Sequence, residues 1–192
     1  MAGGDVVILG GGSTGEACVS ALRGLEPDAR ITLVERELVG GECSYYACMP
    51  TKGMLRPLEA VAAARNVPGA REAVTGPVSA DGVFGHREAI TNGWDDSSQA
   101  KWLVSKDAEL VRGEARVLRP GVIAVGDREV EYGRLVIATG SRPLIPPIPG
   151  LDGVEYWTNR EATSRREVPS SMIVLGAGPV GCELAQFFSR MG

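Results

Sequence analysis

After five residues the chain opens on the apolar run Val6-Val7-Ile8-Leu9, bounded by Asp5 and Gly10. A run this short, β-branched and closed by glycine predicts a strand buried on both faces, as in a parallel sheet. Gly10-Gly11-Gly12-Ser13-Thr14-Gly15 then turns the chain. Ala17, Cys18, Ala21, Leu22 and Leu25 recur at helical spacing, with Gly24 and Pro27 punctuating the end, so an amphipathic helix is predicted there. Ile31-Thr32-Leu33-Val34-Glu35 is a second buried strand. Strand, glycine loop, helix and strand make a βαβ unit.

Residues 36–47 read as a loop holding Gly40 and Gly41. Met54, Leu58, Val61 and Ala62 predict a helix over residues 50–65, and the glycines and prolines of 66–85 predict irregular chain. A weaker helix is predicted over 86–105, with Ile90, Trp94 and Trp102 on one side and Gly93 interrupting. Residues 109–132 read as a small antiparallel set, with strands at 114–118, 122–125 and 129–132 separated by Pro120-Gly121 and Gly126-Asp127. A further buried strand is predicted at 135–138, followed by Thr139-Gly140-Ser141. Pro143, Pro146, Pro147 and Pro149 form a stiff connection that closes a first domain at about residue 150. Residues 171–175 start a second βαβ unit with its own loop, Gly176-Ala177-Gly178-Pro179-Val180-Gly181, and a helix carrying Leu184, Phe187 and Phe188. Residues 151–192 thus read as the start of a second Rossmann-like domain. Its return strand is missing, so the sequence reads as the N-terminal part of a longer protein.

Composition narrows the function classes. Lys and Arg number 20 against 24 Asp and Glu, a net charge of −4, which offers no field for nucleic acid or an anionic membrane surface. A hydrophobic content of 44% with 23% charged residues suits a globular chain. No apolar run approaches the roughly 18–20 residues that span a bilayer. Glycine is abundant at 26 of 192 residues without a period of three, which excludes collagen. Met1–Gly4 lead into the first strand without a basic region and a long apolar core, so no signal peptide is read and the cytoplasm is expected. Four cysteines, Cys18, Cys43, Cys48 and Cys182, are too few for a secreted disulfide scaffold of this length. A close pair in a reducing compartment points instead to catalysis or metal binding.

Two glycine patterns carry chemistry. Gly10-x-Gly12-x-x-Gly15 stands after a strand and before a helix. There the first glycine permits a tight turn, the second lets backbone approach a pyrophosphate, and the third lets helix and strand pack closely. The helix that follows offers free N–H groups and a positive end that suit phosphate. Glu35 ends the next strand, where a carboxylate can take ribose hydroxyls. Gly176-x-Gly178-x-x-Gly181 repeats the pattern without a visible acid, so NAD and NADP are not distinguished.

The stretch Gly40-Gly41-Glu42-Cys43-Ser44-Tyr45-Tyr46-Ala47-Cys48-Met49-Pro50-Thr51-Lys52 allows three readings. A zinc site lacks a second close ligand pair, since only His86, Cys18 and Cys182 remain. Two inert buried cysteines are possible. A redox dithiol is the third reading, with Lys52 near enough in sequence to hold a thiolate. In an ideal helix, residues five apart have Cα atoms roughly 8.7 Å apart, whereas a disulfide wants about 4.4–6.8 Å. If the pair bonds, the segment must depart from helical winding between Cys43 and Cys48.

This stretch resembles the redox-active disulfide of the flavin-dependent pyridine nucleotide-disulfide oxidoreductases, whose usual form is G-G-T-C-x-x-x-x-C-x-P-S-K. The resemblance extends over the chain through Gly10–Gly15 with Glu35, Gly113-Glu114-Ala115, Ala138-Thr139-Gly140, and Gly176–Gly181 with Glu183. It implies an α/β fold: a Rossmann-like FAD-binding domain with a small antiparallel β insertion, then the start of a Rossmann-like NAD(P) domain. It implies that Gly10, Gly12, Ser13, Thr14, Gly15 and Gly41 serve the FAD, with Glu35 on the adenosine ribose. Gly113 and Ala115 would lie near the adenine, and Thr139 and Gly140 along the cofactor. Cys48 would be the charge-transfer thiol, Cys43 the interchange thiol, and Lys52 would sit at the flavin paired with Glu183. Gly176, Gly178 and Gly181 would receive NAD or NADP. The implied partner is a small-molecule or lipoyl-type disulfide or dithiol, and the full-length protein would be a homodimer whose catalytic base and interface lie beyond residue 192.

The motif departs from the family form at Glu42 and Thr51, and Ser44-Tyr45-Tyr46-Ala47 is bulkier than the usual spacer. The two tyrosines therefore leave the substrate open, as packing or as contacts. His86 is read as a surface or satisfied histidine, Cys18 and Cys182 as small buried fillers, Asp95-Asp96 as a solvated helix face, and Trp94, Trp102 and Trp157 as core or rim. The alternative class is a non-catalytic fragment that binds FAD weakly or not at all.

Overall fold

A computed structural model describes residues 5–192. Met1–Gly4, on which the reading of the N-terminus rests, lie outside the described residues. In chain order the elements are β1 (Val6–Leu9), α1 (Ser13–Leu25), β2 (Ile31–Glu35), α2 (Gly41–Tyr45), α3 (Cys48–Arg65), α4 (Ala80–Ile90) and α5 (Ser97–Ser105). There follow β3 (Ala108–Arg112), β4 (Ala115–Arg119), β5 (Val122–Val125), β6 (Arg128–Glu131), β7 (Arg134–Ile137), α6 (Asn159–Ser164) and α7 (Pro179–Met191). The chain forms two compact units: residues up to Cys43 with Trp94–Arg142, and Ser44–Gly93 with Pro143–Gly192.

The first unit holds a parallel sheet in the order β3-β2-β1-β7 and an antiparallel sheet in the order β4-β5-β6. Val6 lies opposite Ile31 on one side and Arg134 on the other, and Ile31 lies opposite Ala108. The strands alternate between two apolar layers. Val6, Ile8, Ile31 and Leu33 face Val19 of α1 and Leu103 of α5. Val7, Leu9, Val34 and Val111 face Ile123 and Val125 of β5. Burial on both faces is why β1 reads as an unbroken apolar run and β2 as a nearly continuous one, broken only by the buried Thr32 before the closing Glu35. The predicted βαβ unit and antiparallel insertion are both present.

The parallel sheet gains β3, most of which the sequence pattern places in the antiparallel region. Its charged residues, Glu109 and Arg112, dilute the apolar signal, and as an edge strand it pairs on one side only. The predicted helix over 86–105 is two helices. They are separated by a turn in which Asn92, Gly93 and Trp94 all take left-handed φ values of 51°, 61° and 60°. α4 also begins well inside the segment expected to be irregular. Ser79 caps it, its hydroxyl accepting from the Gly82 N–H at 3.2 Å, and burial of Val83 and Phe84 outweighs the poor propensity of its glycines.

The second unit is helical. Met54, Leu55 and Leu58 of α3, Val83 and Phe84 of α4, Ala162 of α6, and Leu184, Phe187 and Phe188 of α7 share one core. Gly53 lets α3 approach α4, since a Cβ there would sit 3.0 Å from Ile90 Cδ1. Phe187 meets Phe84 and Phe188 edge-on, with ring centroids 6.2 and 4.9 Å away. The buried Arg87 donates to the Arg165 carbonyl at 2.7 Å and to Glu88 at 3.0 Å, and burial pushes its guanidinium pKa down.

The strand expected at 171–175 is not formed. A strand needs a neighbour for its main-chain groups, and no described segment pairs with this one. Ile173 and Leu175 consequently remain 88% and 61% exposed. Among the described residues, no helix is long and apolar enough to cross a membrane.

Phe187→Ala is expected to lower unfolding free energy by about 3–5 kcal/mol, the range for deleting a buried phenylalanine. A urea denaturation curve whose midpoint stays at the native value would contradict this packing.

Candidate functional site

In the first unit, the Gly10–Gly15 loop joins the end of β1 to α1. Gly10 has φ +101°, and a Cβ on it would collide with the Ala138 carbonyl oxygen just beyond β7. A Cβ on Gly15 would collide with the Gly10 carbonyl oxygen. Both positions therefore require glycine for the chain's own packing. Gly12 differs. It caps α1 with an ordinary extended backbone, φ −73° and ψ −176°, and a Cβ there would meet only the Gly41 Cα, at 3.9 Å. The fold leaves room for a Cβ at position 12, and a ligand approaching the backbone would use that room.

The loop is braced from β2. The Glu35 carboxylate accepts from the Gly11 N–H at 2.6 Å and, through its other oxygen, from the Glu37 N–H at 2.7 Å. Each oxygen keeps a further lone pair, so ribose hydroxyls can still donate to it. The Gly40 N–H donates to the Gly11 carbonyl at 2.7 Å. Gly41, at φ +58°, lies so close to Gly12 that a Cβ on it would reach the Gly12 Cα at 2.8 Å. Ser13 and Thr14 are exposed in the first turn of α1, which no side chain caps. The first-turn N–H groups thus remain suited to an anion.

Gly113, at φ +143°, donates its N–H to the Glu35 carbonyl oxygen at 3.0 Å, and Ala115 begins β4. Thr139 and Gly140 are exposed after β7. Sequence reasoning missed the clamp on the 36–40 loop. Asp96, read as part of a solvated helix face, accepts from the Val39 N–H at 2.7 Å and from Arg112 at 2.6 Å. Arg112 also donates to the Glu37 carbonyl at 2.7 Å. Only the tertiary fold brings these groups together, so no local pattern announces them.

The cysteines fall in different local settings. Cys43 is half-buried in α2, and Cys48 is exposed as the first residue of α3. Tyr46 and Ala47 interrupt the helix between them, Ala47 at φ −137° and ψ −97°. The departure from helical winding that a bonded pair requires is therefore present. Tyr45 is buried and Tyr46 half-buried.

In the second unit, Lys52 Nζ lies 3.5 Å from Glu183 Oε1 of α7. The Gly176–Gly181 loop repeats the geometry of the first. Gly176 has φ +123°, a Cβ on Gly181 would collide with the Gly176 carbonyl oxygen, and a Cβ on Gly178 would meet nothing within 4 Å. Gly178 caps α7 at φ −77° and ψ 178°, within a few degrees of Gly12. Cys182, expected as a buried filler, is exposed at the first turn of α7, because that helix buries its opposite face. Cys18 packs half-buried on the sheet core, and His86 is exposed on α4. Among the described residues, no cluster of three or more His, Cys, Asp or Glu could hold a metal ion.

A family model described as pyridine nucleotide-disulphide oxidoreductase matches residues 4–192. The chain is 33% identical to a mercuric reductase of Acidithiobacillus ferrooxidans, covering 97% of this chain and 35% of that protein. It is 32% identical to a dihydrolipoyl dehydrogenase of Rhizobium etli, covering 98% and 43%. It shares the fold of the HOCl-induced flavoprotein disulfide reductase RclA from Escherichia coli, with TM-score 0.76 and 22% identity over 98% of this chain and 40% of that one. The chain thus spans between 30% and 43% of the length of such curated relatives.

Burial of Glu16 in the first turn of α1 pushes its carboxyl pKa up. A raised folded-state value means that ionisation costs stability. The cost is absent below the ordinary glutamate value, grows as pH rises toward the raised value, and is constant above it. Glu16→Gln is therefore expected to melt above the native protein at neutral pH, with the advantage vanishing toward pH 4. Equal melting-temperature differences at both pH values would contradict this.

Proposed function

Because this chain belongs to the pyridine nucleotide-disulphide oxidoreductase family, we propose that it is part of a flavin-dependent enzyme passing electrons between NADH or NADPH and a Cys43–Cys48 dithiol. That dithiol would exchange with a disulfide or dithiol substrate. In this reading residues 1–150 are the FAD-binding domain and 151–192 begin the NAD(P)-binding domain. The observation that carries it is the pair of loops whose middle glycines, Gly12 and Gly178, are not required by the fold. Backbone left bare at a helix start suits a dinucleotide's phosphates.

Bound FAD would supply two-electron chemistry linking a nicotinamide to a thiol pair. The chain's residues would do the rest. Gly10, Gly12 and Gly15, with the Ser13 and Thr14 N–H groups, would hold the pyrophosphate. Gly41, packed beside Gly12, would border the cofactor, Glu35 would take the ribose, Gly113 and Ala115 would border the adenine, and Thr139 and Gly140 would line the cofactor. Gly176, Gly178 and Gly181 would hold the nicotinamide dinucleotide. Cys43 would attack the substrate disulfide as a thiolate and expel one thiol. Cys48 would then attack the mixed disulfide and expel the second, leaving Cys43 and Cys48 joined. Two electrons pass to the substrate, which takes up two protons. Lys52 would favour the thiolate form, with Glu183 orienting the lysine.

Homologues named mercuric reductase and dihydrolipoyl dehydrogenase support the reaction class while differing in substrate. We leave the substrate as a small-molecule or lipoyl-type disulfide or dithiol, acted on by a cytoplasmic homodimer. The open 171–175 segment favours a second reading: these 192 residues alone would be a non-catalytic piece that binds FAD weakly or not at all.

Cys43→Ser in the protein as the cell makes it is expected to retain bound flavin and lose NAD(P)H-dependent disulfide reduction by more than about a thousandfold, as loss of a covalent nucleophile does. Turnover surviving the change would remove Cys43 from its role.

A further inference from the structure

The break between the cysteines is held from α6. Continued as a helix, the Tyr46 carbonyl would accept from the N–H of residue 50, four positions on. Residue 50 is proline and has no N–H. The next carbonyl, Ala47, does find its helical partner, the Thr51 N–H at 3.1 Å. The Tyr46 carbonyl instead accepts from Asn159 Nδ2 at 2.8 Å. Thr163 Oγ1 lies 3.2 Å from the same oxygen, but its one proton is shared with the Asn159 carbonyl at 2.7 Å, so Asn159 is the committed donor. Arg160 adds a second hold, its guanidinium 4.3 Å from the centre of the Tyr46 ring.

The clamp stands on a firm base. A six-residue helix is too short to persist alone. α6 is fixed by a capping box in which Glu161 accepts from the Thr158 N–H at 2.7 Å and the Thr158 hydroxyl accepts from the Arg160 N–H at 3.2 Å. Ala162 and Thr163 are buried beneath it.

We propose that Asn159, assisted by Arg160, is a positioning residue for the dithiol: it captures the carbonyl that Pro50 leaves without a helical partner and so keeps the Cys43–Cys48 link unwound. A link that rewound toward helix would carry the two Cα atoms toward roughly 8.7 Å, beyond disulfide reach. Holding the link in the reduced state lowers the conformational cost of closing the ring. The clamp therefore stabilises the disulfide relative to the dithiol. This inference rests on the reading of Cys43 and Cys48 as a redox pair.

The test is the equilibrium of the pair with glutathione, in which one oxidised glutathione takes two electrons and two protons and leaves two reduced glutathiones and the protein disulfide. Thiols are trapped with maleimide and counted by mass, a readout independent of flavin and turnover. Asn159→Asp keeps the shape and removes the donor. It is expected to make the disulfide about tenfold less favoured, about 30 mV for a two-electron couple. Pro50→Ala leaves α6 intact and restores a competing N–H, and should shift the equilibrium in the same direction. Tyr46→Phe keeps both the carbonyl and the ring and should leave it unchanged. Native-like equilibria in both Asn159→Asp and Pro50→Ala would overturn the inference while leaving the dithiol reading intact. A native protein that forms no Cys43–Cys48 disulfide under oxidised glutathione would end both.

Discussion

The contact on which the first unit's site depends is a glycine Cα–H set directly against a backbone carbonyl. Gly15 meets the Gly10 oxygen with no room for a methyl between them. That contact seats the first turn of α1 on the end of β1, and everything beyond it follows in register. Gly12 is left at the mouth of the turn, Glu35 reaches across from β2 to the Gly11 N–H, and the Gly40–Gly41 segment closes over the loop through a hydrogen bond to Gly11. The same contact between Gly181 and the Gly176 oxygen gives the second loop the same shape. Two stretches 166 positions apart in one sequence thus reach one local solution because the same steric requirement acts on both.

The cysteine segment is governed by a different constraint, the accounting of main-chain hydrogen bonds. Proline removes a donor from the first turn of α3, which costs that helix nothing at its start. It does cost the preceding segment a continuous helix. The chain between Cys43 and Cys48 therefore leaves helical winding at Tyr46 and Ala47, provided another group holds it there. Residues far along the sequence, at the start of α6, do so.

Much of this was legible in the sequence where one residue's requirement is local. The glycine loops, the buried strands β1 and β2, Glu35 at the end of β2 and the break at the cysteines each follow from a few adjacent residues. What sequence reasoning missed depends on the fold closing. β3 was hidden because an edge strand carries charges at positions that a central strand would bury. α4 was hidden because Gly82 and Gly85 suggest a loop until Ser79 is seen to cap it. Asp96 looked like a solvated acid, and only the return of the 36–40 loop and Arg112 gives it partners. The 171–175 segment failed in the other direction. Its apolar pattern announces a strand, but a pattern cannot supply the neighbour that makes one.

The central claim is that Gly12 is bare because a dinucleotide's phosphates lie against it, and equilibrium titration of FAD by fluorescence, comparing native protein with Gly12→Ala, tests it most directly. The account predicts unchanged circular dichroism and melting temperature, since the fold has room for a Cβ there, together with at least about a tenfold loss of FAD affinity, about 1.4 kcal/mol. Native affinity in a folded Gly12→Ala protein would contradict it.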